Sequence, residues 1–200
     1  MLSGVCYYVL YAIVRCAMFF WHPVFRVKGR EHIKPEGRLM ICANHAGMAD
    51  PIWVIIALRL GHIPRIMAKK ELLKVPVLGW FLQKIGVFGV DRGAADIQAI
   101  KTGLRCLREE QQLLVFPEGT RRKAGVDVEP KRGALMMAAK TDTPILPVYL
   151  TERRHPFSPM TCIIGEPYRL SFADGKPTDE ELQAETVRLM EKIYAMGEGT

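Results

Sequence analysis

At residues 44–51 the sequence reads Asn-His-Ala-Gly-Met-Ala-Asp-Pro, directly after a short apolar run at 38–43. An apolar run of that length is typical of a buried strand, and Asp-Pro is a favourable start for a helix. The helical conformation is also disfavoured for the residue that precedes a proline. The stretch therefore predicts a strand, a bend and a helix that begins at Pro51, with Asp50 as its N-cap.

The bend decides whether His45 and Asp50 can meet. Five helical steps would place their side chains about 140° apart, so they cannot share one face of a straight helix. A bend can instead fold the Asp50 carboxylate back onto the His45 imidazole, which would make His45 a general base whose tautomer Asp50 fixes. The alternative is that Asp50 only caps the helix, and that Asn44 and His45 are only turn residues.

Apolar runs of strand length alternate with helical patterns along the chain. Strands are predicted at 24–27, 38–43, 65–68, 86–90, 113–116, 145–150 and 161–164, and helices at 51–60, 94–110, 133–140 and from 178, with short helices at 69–84 that break at Pro76. The alternation predicts an α/β fold, a single domain with a central, largely parallel sheet covered by helices. Ligands bind such sheets at the carboxyl ends of the strands, where the loop at His45 and the loop after Phe116 both lie.

Two of the predicted helices carry specific signals. The helix at 94–110 has one apolar stripe at three- and four-residue steps, which is expected to face the core: Ile97, Ile100, Leu104 and Leu107. The last helix should begin with a capping box between Thr178 and Glu181. Its expected inner stripe is Leu182, Leu189, Met190 and Ile193.

Composition restricts the class of partner. The 200 residues carry a net charge of +7, which favours anionic partners. No nucleic-acid motif is recognisable, so lipid or phosphate is favoured and no nucleic-acid partner is expected. The five cysteines are odd in number and lack C-x-x-C spacing, which argues against a disulfide framework or a zinc site and favours a reducing compartment. Cys42 is expected to be a buried strand residue rather than a thiol nucleophile.

Residues 1–25 form a nearly continuous apolar and aromatic segment, interrupted by Arg15. It lacks the basic start and the cleavage site of a secretory signal, and its uninterrupted part is shorter than the roughly 20 residues of a membrane span. We expect a membrane-associated helical segment, embedded or interfacial, ahead of a domain at 26–200. Tyrosine and tryptophan would lie at headgroup depth, and the basic residues that follow would stay on the cytoplasmic side: Arg26, Lys28, Arg30 and Lys34. The alternative is an amphipathic helix packed on the domain's own core.

A second polar cluster follows the predicted strand at 113–116, where the sequence reads Phe-Pro-Glu-Gly-Thr-Arg. Proline ends the strand and glycine permits a tight turn, which leaves Glu118 and Arg121 at the strand end. Arg92 holds a similar position after the strand at 86–90. Because arginine pairs with phosphate oxygens through two parallel hydrogen bonds, these loops and the histidine indicate proton abstraction beside a phosphate monoester.

Surface ion pairing is the alternative for these charged residues. Glu118 would then pair with Arg121, and Asp91 with Arg92, at little gain in free energy. For Arg122 and Lys123 we favour such pairing or a membrane-facing position.

Four sequence blocks between about Arg26 and Pro167 resemble those of the glycerolipid acyltransferase family, specifically the lysophosphatidic acid acyltransferases (1-acyl-sn-glycerol-3-phosphate acyltransferases). The blocks are NHAGMAD at 44–50, GVFGVDRG at 86–93, FPEGTR at 116–121 and TPILPV at 143–148. The His-x4-Asp motif is weak alone, but FPEGTR about seventy residues later makes the combination specific. Gly89 and Arg122 depart from the usual pattern, which leaves the acceptor preference open.

The resemblance implies an enzyme that moves a fatty acyl chain from acyl-CoA or acyl carrier protein to lysophosphatidic acid, giving phosphatidic acid in phospholipid synthesis. It implies that His45 deprotonates the acceptor hydroxyl and that Asp50 orients His45. It further implies a pocket for the acceptor phosphate, formed by Arg92, Glu118, Gly119 and Arg121, of which the two arginines hold the phosphate. The block at 143–148 would border the acyl donor or support the site.

Direct attack of the acceptor hydroxyl on the thioester needs no enzyme nucleophile, in agreement with the absence of a G-x-S-x-G sequence. No metal or cofactor is expected. The enzyme is expected at the cytoplasmic face of the cell membrane, among membrane lipids. The alternatives are glycerol-3-phosphate or another lysophospholipid as acceptor, a non-catalytic module that binds lipid phosphate at the membrane, and, ranked lowest, a hydrolase.

Overall fold

The computed structural model describes residues 4–33, 36–91, 96–122, 128–152, 157–172 and 175–198. The strands are β1 (Phe25–Lys28), β2 (Leu39–Ala43), β3 (Arg65–Lys69), β4 (Val87–Val90), β5 (Gln112–Val115), β6 (Ile145–Leu150) and β7 (Met160–Ile164). The α-helices are α1 (Gly4–Trp21), α2 (Asp50–Leu58), α3 (Leu78–Lys84), α4 (Ile97–Arg108), α5 (Gly133–Thr141) and α6 (Asp179–Gly197), with short 3-10 helices at Arg30–His32 and Lys70–Lys74. The predicted elements are present, with ends displaced by up to three residues.

The strands form one sheet in the order β1-β7-β6-β2-β5-β3-β4. The five strands from β6 to β4 run parallel to one another. Strand β7 is antiparallel to β6, and β1 is parallel to β7. The predicted α/β fold with a largely parallel sheet is therefore confirmed. Strand β2 lies between β6 and β5, so the bend at His45 and the loop after Phe116 leave adjacent strands at the same edge of the sheet.

Helices cover both faces of the sheet. On one face, side chains of α2, led by the fully buried Trp53, pack against alternate residues of β2 such as Ile41. On the other face, α4, α5 and α6 pack against the remaining residues, with Leu135 and Ile193 in the interior. Every residue of β2 is buried, as expected for a central strand with apolar layers above and below.

Helix α1 confirms that the N-terminal segment is helical. Tyr11, Val14 and Met18 pack against the core beside α2, as the amphipathic alternative expects. Other large apolar side chains of the helix are exposed: Tyr8, Val9, Ile13, Phe19, Phe20 and Trp21. No helix within the described residues has the length and apolar character to traverse a bilayer, so a single span of α1 finds no support here.

Helices α4 and α6 had specific sequence predictions. The capping box is present, because Thr178 and Glu181 each accept the other's backbone N–H, and the predicted inner stripe of α6 is buried. The stripe predicted for α4 is wrong at its start, because Ile97 is 64% exposed. Leu107 is fully buried as predicted, and the helix also buries small residues, namely Ala99, Gly103 and Cys106. A Cβ on Gly103 would collide with the sulfur of Met137, so α4 and α5 approach too closely for a large side chain there.

Candidate active site

Asn44 fixes the end of β2 against β6. Its side chain is fully buried; the amide nitrogen donates to the Leu150 carbonyl at 2.9 Å and the amide oxygen accepts from the Leu150 N–H at 2.7 Å. The side chain therefore replaces one backbone pair of the ladder just beyond Ala43. Asn44 is more than a turn residue, because it sets where the chain leaves the sheet and where His45 begins.

The bend brings His45 and Asp50 together. One carboxylate oxygen of Asp50, Oδ2, lies 2.9 Å from Nδ1 of His45 and accepts the backbone N–H groups of Ala46 and Gly47 at 2.7 and 2.8 Å. Asp50 is completely buried, and the His45 side chain is 11% exposed. A buried carboxylate is tolerated when donors surround it, as they do here. The arrangement places the ring proton on Nδ1 and leaves Nε2 as an acceptor.

The helix start differs from the predicted cap. Ala49 occupies the N-cap position and no side chain caps the helix there, while Asp50 is the first helical residue and Pro51 follows in the first turn. The carboxylate turns back to the bend rather than forward to the helix N–H groups. The interpretation of Asp50 as only a cap is therefore wrong.

The FPEGTR loop holds the backbone of His45. Oε2 of Glu118 accepts the His45 N–H at 2.6 Å, and the carbonyl of His45 accepts the Arg122 N–H at 2.8 Å. The imidazole stacks on the Phe116 ring, with 4.4 Å between ring centroids. The loop itself turns at Gly119, whose φ of 66° lies in the left-handed region that favours glycine. The loop after β5 thus fixes both the backbone and the ring of His45, which lies at the end of the adjacent strand β2.

Glu118 is a buried residue that lies beneath the backbone of His45. It is only 3% exposed, and its second oxygen accepts the hydroxyl of Tyr194, so both oxygens are engaged within the protein. Burial raises the pKa of Glu118 above its usual range, although the hydrogen bonds from Tyr194 and His45 oppose the shift. Its oxygens bind His45 and Tyr194, so the alternative ion pair with Arg121 is not what this carboxylate makes.

Of the two arginines predicted to bind phosphate, the structure describes only Arg121. Arg121 is exposed and directly precedes Arg122, whose N–H binds the carbonyl of His45. Arg92 lies outside the described residues. Asp91, the residue before it, is exposed and directly follows β4 at the same edge of the sheet. Strand β4 is three strands from β2, or about 14 Å at the usual strand spacing.

Among the described residues, no group of His, Cys, Asp and Glu could hold a metal ion.

The sequence model of the acyltransferase family matches residues 24–151, which include His45, Asp50 and the FPEGTR loop. The chain belongs to the acyltransferase family. This acyltransferase is 33% identical over 176 residues to the 1-acyl-sn-glycerol-3-phosphate acyltransferase of Bacillus subtilis, a match that covers 84% of this chain and 85% of the relative. It is 36% identical over 130 residues to the enzyme of the same name from Borreliella burgdorferi, covering 62% of this chain and half of the relative.

A solved structure has the same fold. The crystal structure of the 1-acyl-sn-glycerophosphate (LPA) acyltransferase PlsC from Thermotoga maritima superposes with a TM-score of 0.69 at 25% identity. The match covers 95% of this acyltransferase and 79% of that chain. The predicted family is therefore confirmed, and the protein is an enzyme that transfers acyl groups.

The TPILPV block lies inside this acyltransferase. All six residues of β6 are buried, and Pro147 pairs with Cys42 of β2. Thr143 is buried and shares a hydrogen bond of 2.7 Å with the hydroxyl of Thr141. Of the two roles predicted for this block, support of the site matches its position, because β6 carries the backbone that binds Asn44. Burial raises the pKa of the Cys42 thiol to about 12, which makes it a poor nucleophile at neutral pH, as expected.

Sequence reasoning missed the contribution of α6 to the site. Tyr194 donates its hydroxyl to Glu118, and the guanidinium of Arg122 lies 4.6 Å from the centroid of the tyrosine ring. Arg122 also forms the kind of ion pair that the sequence suggested, at 3.7 Å from Glu152. Burial raises the pKa of Tyr194, so its hydroxyl stays protonated as a donor. Tyr194 follows Ile193 on the buried side of α6, where the sequence pattern indicates only a core residue.

Replacement of Tyr194 with Phe tests this link. We expect kcat to fall about 3- to 10-fold with little change in KM, and the free energy of unfolding to fall by about 1 kcal/mol, because Glu118 loses one donor. Steady-state kinetics and chemical denaturation measure both. Tyr168→Phe is the matched control. Tyr168 also has a cation over its ring, from Lys192 at 4.6 Å, but its backbone pairs with that of Ile145, the first residue of β6. Equal kinetics for the two variants would show that Tyr194 has no part in positioning His45.

Proposed function

We propose that the enzyme transfers a fatty acyl chain from an acyl thioester to the free hydroxyl of lysophosphatidic acid, giving phosphatidic acid for phospholipid synthesis. The observation that carries this proposal is the His45–Asp50 contact, held by the FPEGTR loop within the acyltransferase domain. The names of the relatives from Bacillus subtilis and Thermotoga maritima support the choice of acceptor.

The proposed reaction needs one base and no enzyme nucleophile. With its Nδ1 proton directed to Asp50, His45 presents Nε2 to the acceptor hydroxyl and takes its proton as the oxygen attacks the thioester carbonyl. The tetrahedral intermediate then collapses with loss of the thiolate, which the imidazolium can reprotonate. The buried negative charge of Asp50 stabilises the imidazolium between these steps.

The acceptor phosphate is proposed to bind at the carboxyl edge of the sheet, through Arg121 and Arg92. Arg121 is exposed at the end of the FPEGTR loop that holds His45, so its guanidinium is open to a ligand near the imidazole. Glu118 and Gly119 serve this site indirectly, through the shape of the loop. The donor is acyl-CoA or acyl carrier protein, and the reaction takes place at the cytoplasmic face of the cell membrane.

Replacement of Arg121 with Ala should raise the KM for lysophosphatidic acid about 10- to 100-fold, the loss expected for one charge-assisted hydrogen bond, with a smaller change in kcat. Arg108→Ala is the matched control, because Arg108 is equally exposed but ends α4 at the opposite edge of the sheet. Initial rates against acceptor concentration give both constants. A fall in kcat alone would contradict the anchoring role.

A panel of acceptors and donors tests the overall proposal. Purified protein is mixed with lysophosphatidic acid, glycerol-3-phosphate or lysophosphatidylcholine, each with acyl-CoA and with acyl carrier protein, and the products are identified by mass spectrometry. We expect phosphatidic acid as the main product. Acylation of glycerol-3-phosphate in preference to lysophosphatidic acid would overturn the acceptor assignment and favour the alternative acceptor.

A further inference from the structure

The segment between β3 and β4 exposes an unusual amount of apolar surface. We call residues 70–84, the 3-10 helix and α3, the wedge. Its exposed large apolar side chains are Leu72, Val75, Val77, Leu78, Trp80 and Phe81. Val77 is 80% exposed and Trp80 is 65% exposed. A contiguous exposed apolar patch of this kind marks an interaction surface, and the proposed reaction uses none of these side chains.

The tip of the wedge is held in a strained conformation. Val77 has φ 62°, in the left-handed region that a β-branched residue rarely adopts. Gly79 has no room for a side chain, because a Cβ there would collide with the carbonyl of Leu73. The close approach of the two short helices thus fixes a tight turn that directs a valine into solvent. Strain of this kind is found where a segment has a function other than packing.

The charges of the wedge suit an anionic lipid surface. It contains three lysines, Lys70, Lys74 and Lys84, against one glutamate, Glu71, which pairs with Lys69 outside it at 3.5 Å. The ammonium of Lys84 lies 5.9 Å from the centroid of the Trp80 ring. Tryptophan flanked by lysine is typical of the headgroup region of membranes, where the ring is partly immersed and the cation meets anionic lipid.

The wedge follows β3, so it leaves the sheet at the same edge as the His45 bend. A second apolar patch lies beyond the bend at that edge: Phe20, Trp21 and Phe157, all exposed. The carbonyl of Trp21 accepts the N–H of Phe157, which itself has φ 68° in the loop after β6. Met48, in the bend itself, is 77% exposed between the two patches. Exposed apolar side chains therefore flank the imidazole on both sides.

We propose that the wedge inserts into the headgroup region of an anionic bilayer and, together with the patch at Trp21, presents the His45 edge of the sheet to the lipid. This inference rests on the proposed function for its substrate, because a lysophospholipid lies in the same bilayer. The wedge supplies a membrane contact that is separate from α1. With the patch at Trp21 it gives the enzyme two points of contact with the bilayer, which fix its orientation.

Binding to vesicles tests the wedge without any reference to catalysis. The full chain is mixed with vesicles of phosphatidylcholine alone or with about a third phosphatidylglycerol, and bound protein is separated by flotation. We expect the double variant Val77→Ser/Trp80→Ser to bind the anionic vesicles about 10-fold more weakly than the unaltered chain. Val187→Ser is the control, because Val187 is an exposed apolar residue on α6. Equal binding by the double variant and the unaltered chain would overturn the proposal.

The lysines provide a second, independent variant. Lys74→Gln/Lys84→Gln should weaken binding to the anionic vesicles about 10-fold and leave the weaker binding to neutral vesicles unchanged. Lys101→Gln, at an exposed position on α4, is the control for loss of charge. Circular dichroism checks that each variant is folded. Loss of binding to both kinds of vesicle by the lysine variant would contradict the electrostatic part of the proposal.

Kinetics separate this proposal from the proposed function. The double variant should acylate a short-chain, monomeric lysophosphatidic acid at the normal rate and vesicle-borne lysophosphatidic acid about 10-fold more slowly. Failure of the unaltered chain to acylate either acceptor would refute the function and leave the vesicle result standing. If the variant instead loses only turnover with acyl carrier protein and retains vesicle binding, the wedge docks a protein and the membrane proposal is wrong.

Discussion

Replacement of His45 with Ala is expected to lower kcat about 10²- to 10⁴-fold while the protein remains folded. The imidazole is the group that takes the acceptor proton in the proposed reaction. Alanine keeps the backbone N–H that Glu118 accepts and the carbonyl that binds Arg122, so the loop contacts persist. Thiol release from acyl-CoA in the presence of lysophosphatidic acid measures the loss.

Two controls separate loss of the base from loss of structure. His62→Ala removes a histidine from the loop before β3, at the opposite edge of the sheet, and should retain full activity. Added imidazole should restore part of the lost rate, because the substitution leaves space beside the Phe116 ring on which His45 stacks. Turnover by the His45 variant within about threefold of the unaltered enzyme would refute the assignment of the base.

Local sequence signals predicted the His45–Asp50 contact as one of two alternatives, and the structure shows that contact. The two residues are five positions apart, and Pro51 permits only a few backbone arrangements before it. The strand before the bend and the helix after it follow from short apolar runs, which also gave the parallel sheet. The prediction of a helix cap was wrong, because the Asp50 carboxylate accepts N–H groups of the bend and no side chain caps the helix.

Contacts between distant residues could not be predicted in this way. Glu118 binds the backbone of a residue 73 positions earlier, and this contact exists only because β5 lies beside β2. Alternation of strands and helices predicts a parallel sheet, but it does not give the order of the strands. Tyr194 is 76 positions from Glu118, and its hydroxyl has no sequence signature within an amphipathic helix. The FPEGTR motif thus drew attention to Glu118, but its contacts with His45 and Tyr194 could not be read from the sequence.

The exposed surface was also only partly predictable. Residues 69–84 were expected to form short helices around Pro76, as they do, but their apolar side chains could equally have belonged to the core. Their exposure depends on the fold of the turn around Gly79, where the two helices contact each other and leave Val77 and Trp80 in solvent. Sequence gives the apolar character of a segment, whereas the tertiary structure decides which of its side chains are covered.

Replacement of Asp50 with Asn is expected to lower kcat about 10²-fold or more at almost unchanged stability. An amide oxygen in the place of Oδ2 can still accept the two backbone N–H groups and Nδ1–H, so the bend keeps its shape. The negative charge beside the imidazole is lost, however, and the imidazolium that forms during proton transfer is no longer stabilised. The KM for the acceptor should change little.

Asp50→Ala separates this electrostatic effect from the structural one. Without an acceptor, the N–H groups of Ala46 and Gly47 lose their partner, at a cost of about 1–3 kcal/mol for each group that stays buried. The alanine variant should therefore lose both kcat and free energy of unfolding, whereas the asparagine variant loses kcat alone. Denaturant titration and initial rates on the same preparations give the comparison. If asparagine preserved kcat, the carboxylate would serve only to shape the bend, and the proton would have to be taken without a charged partner for His45.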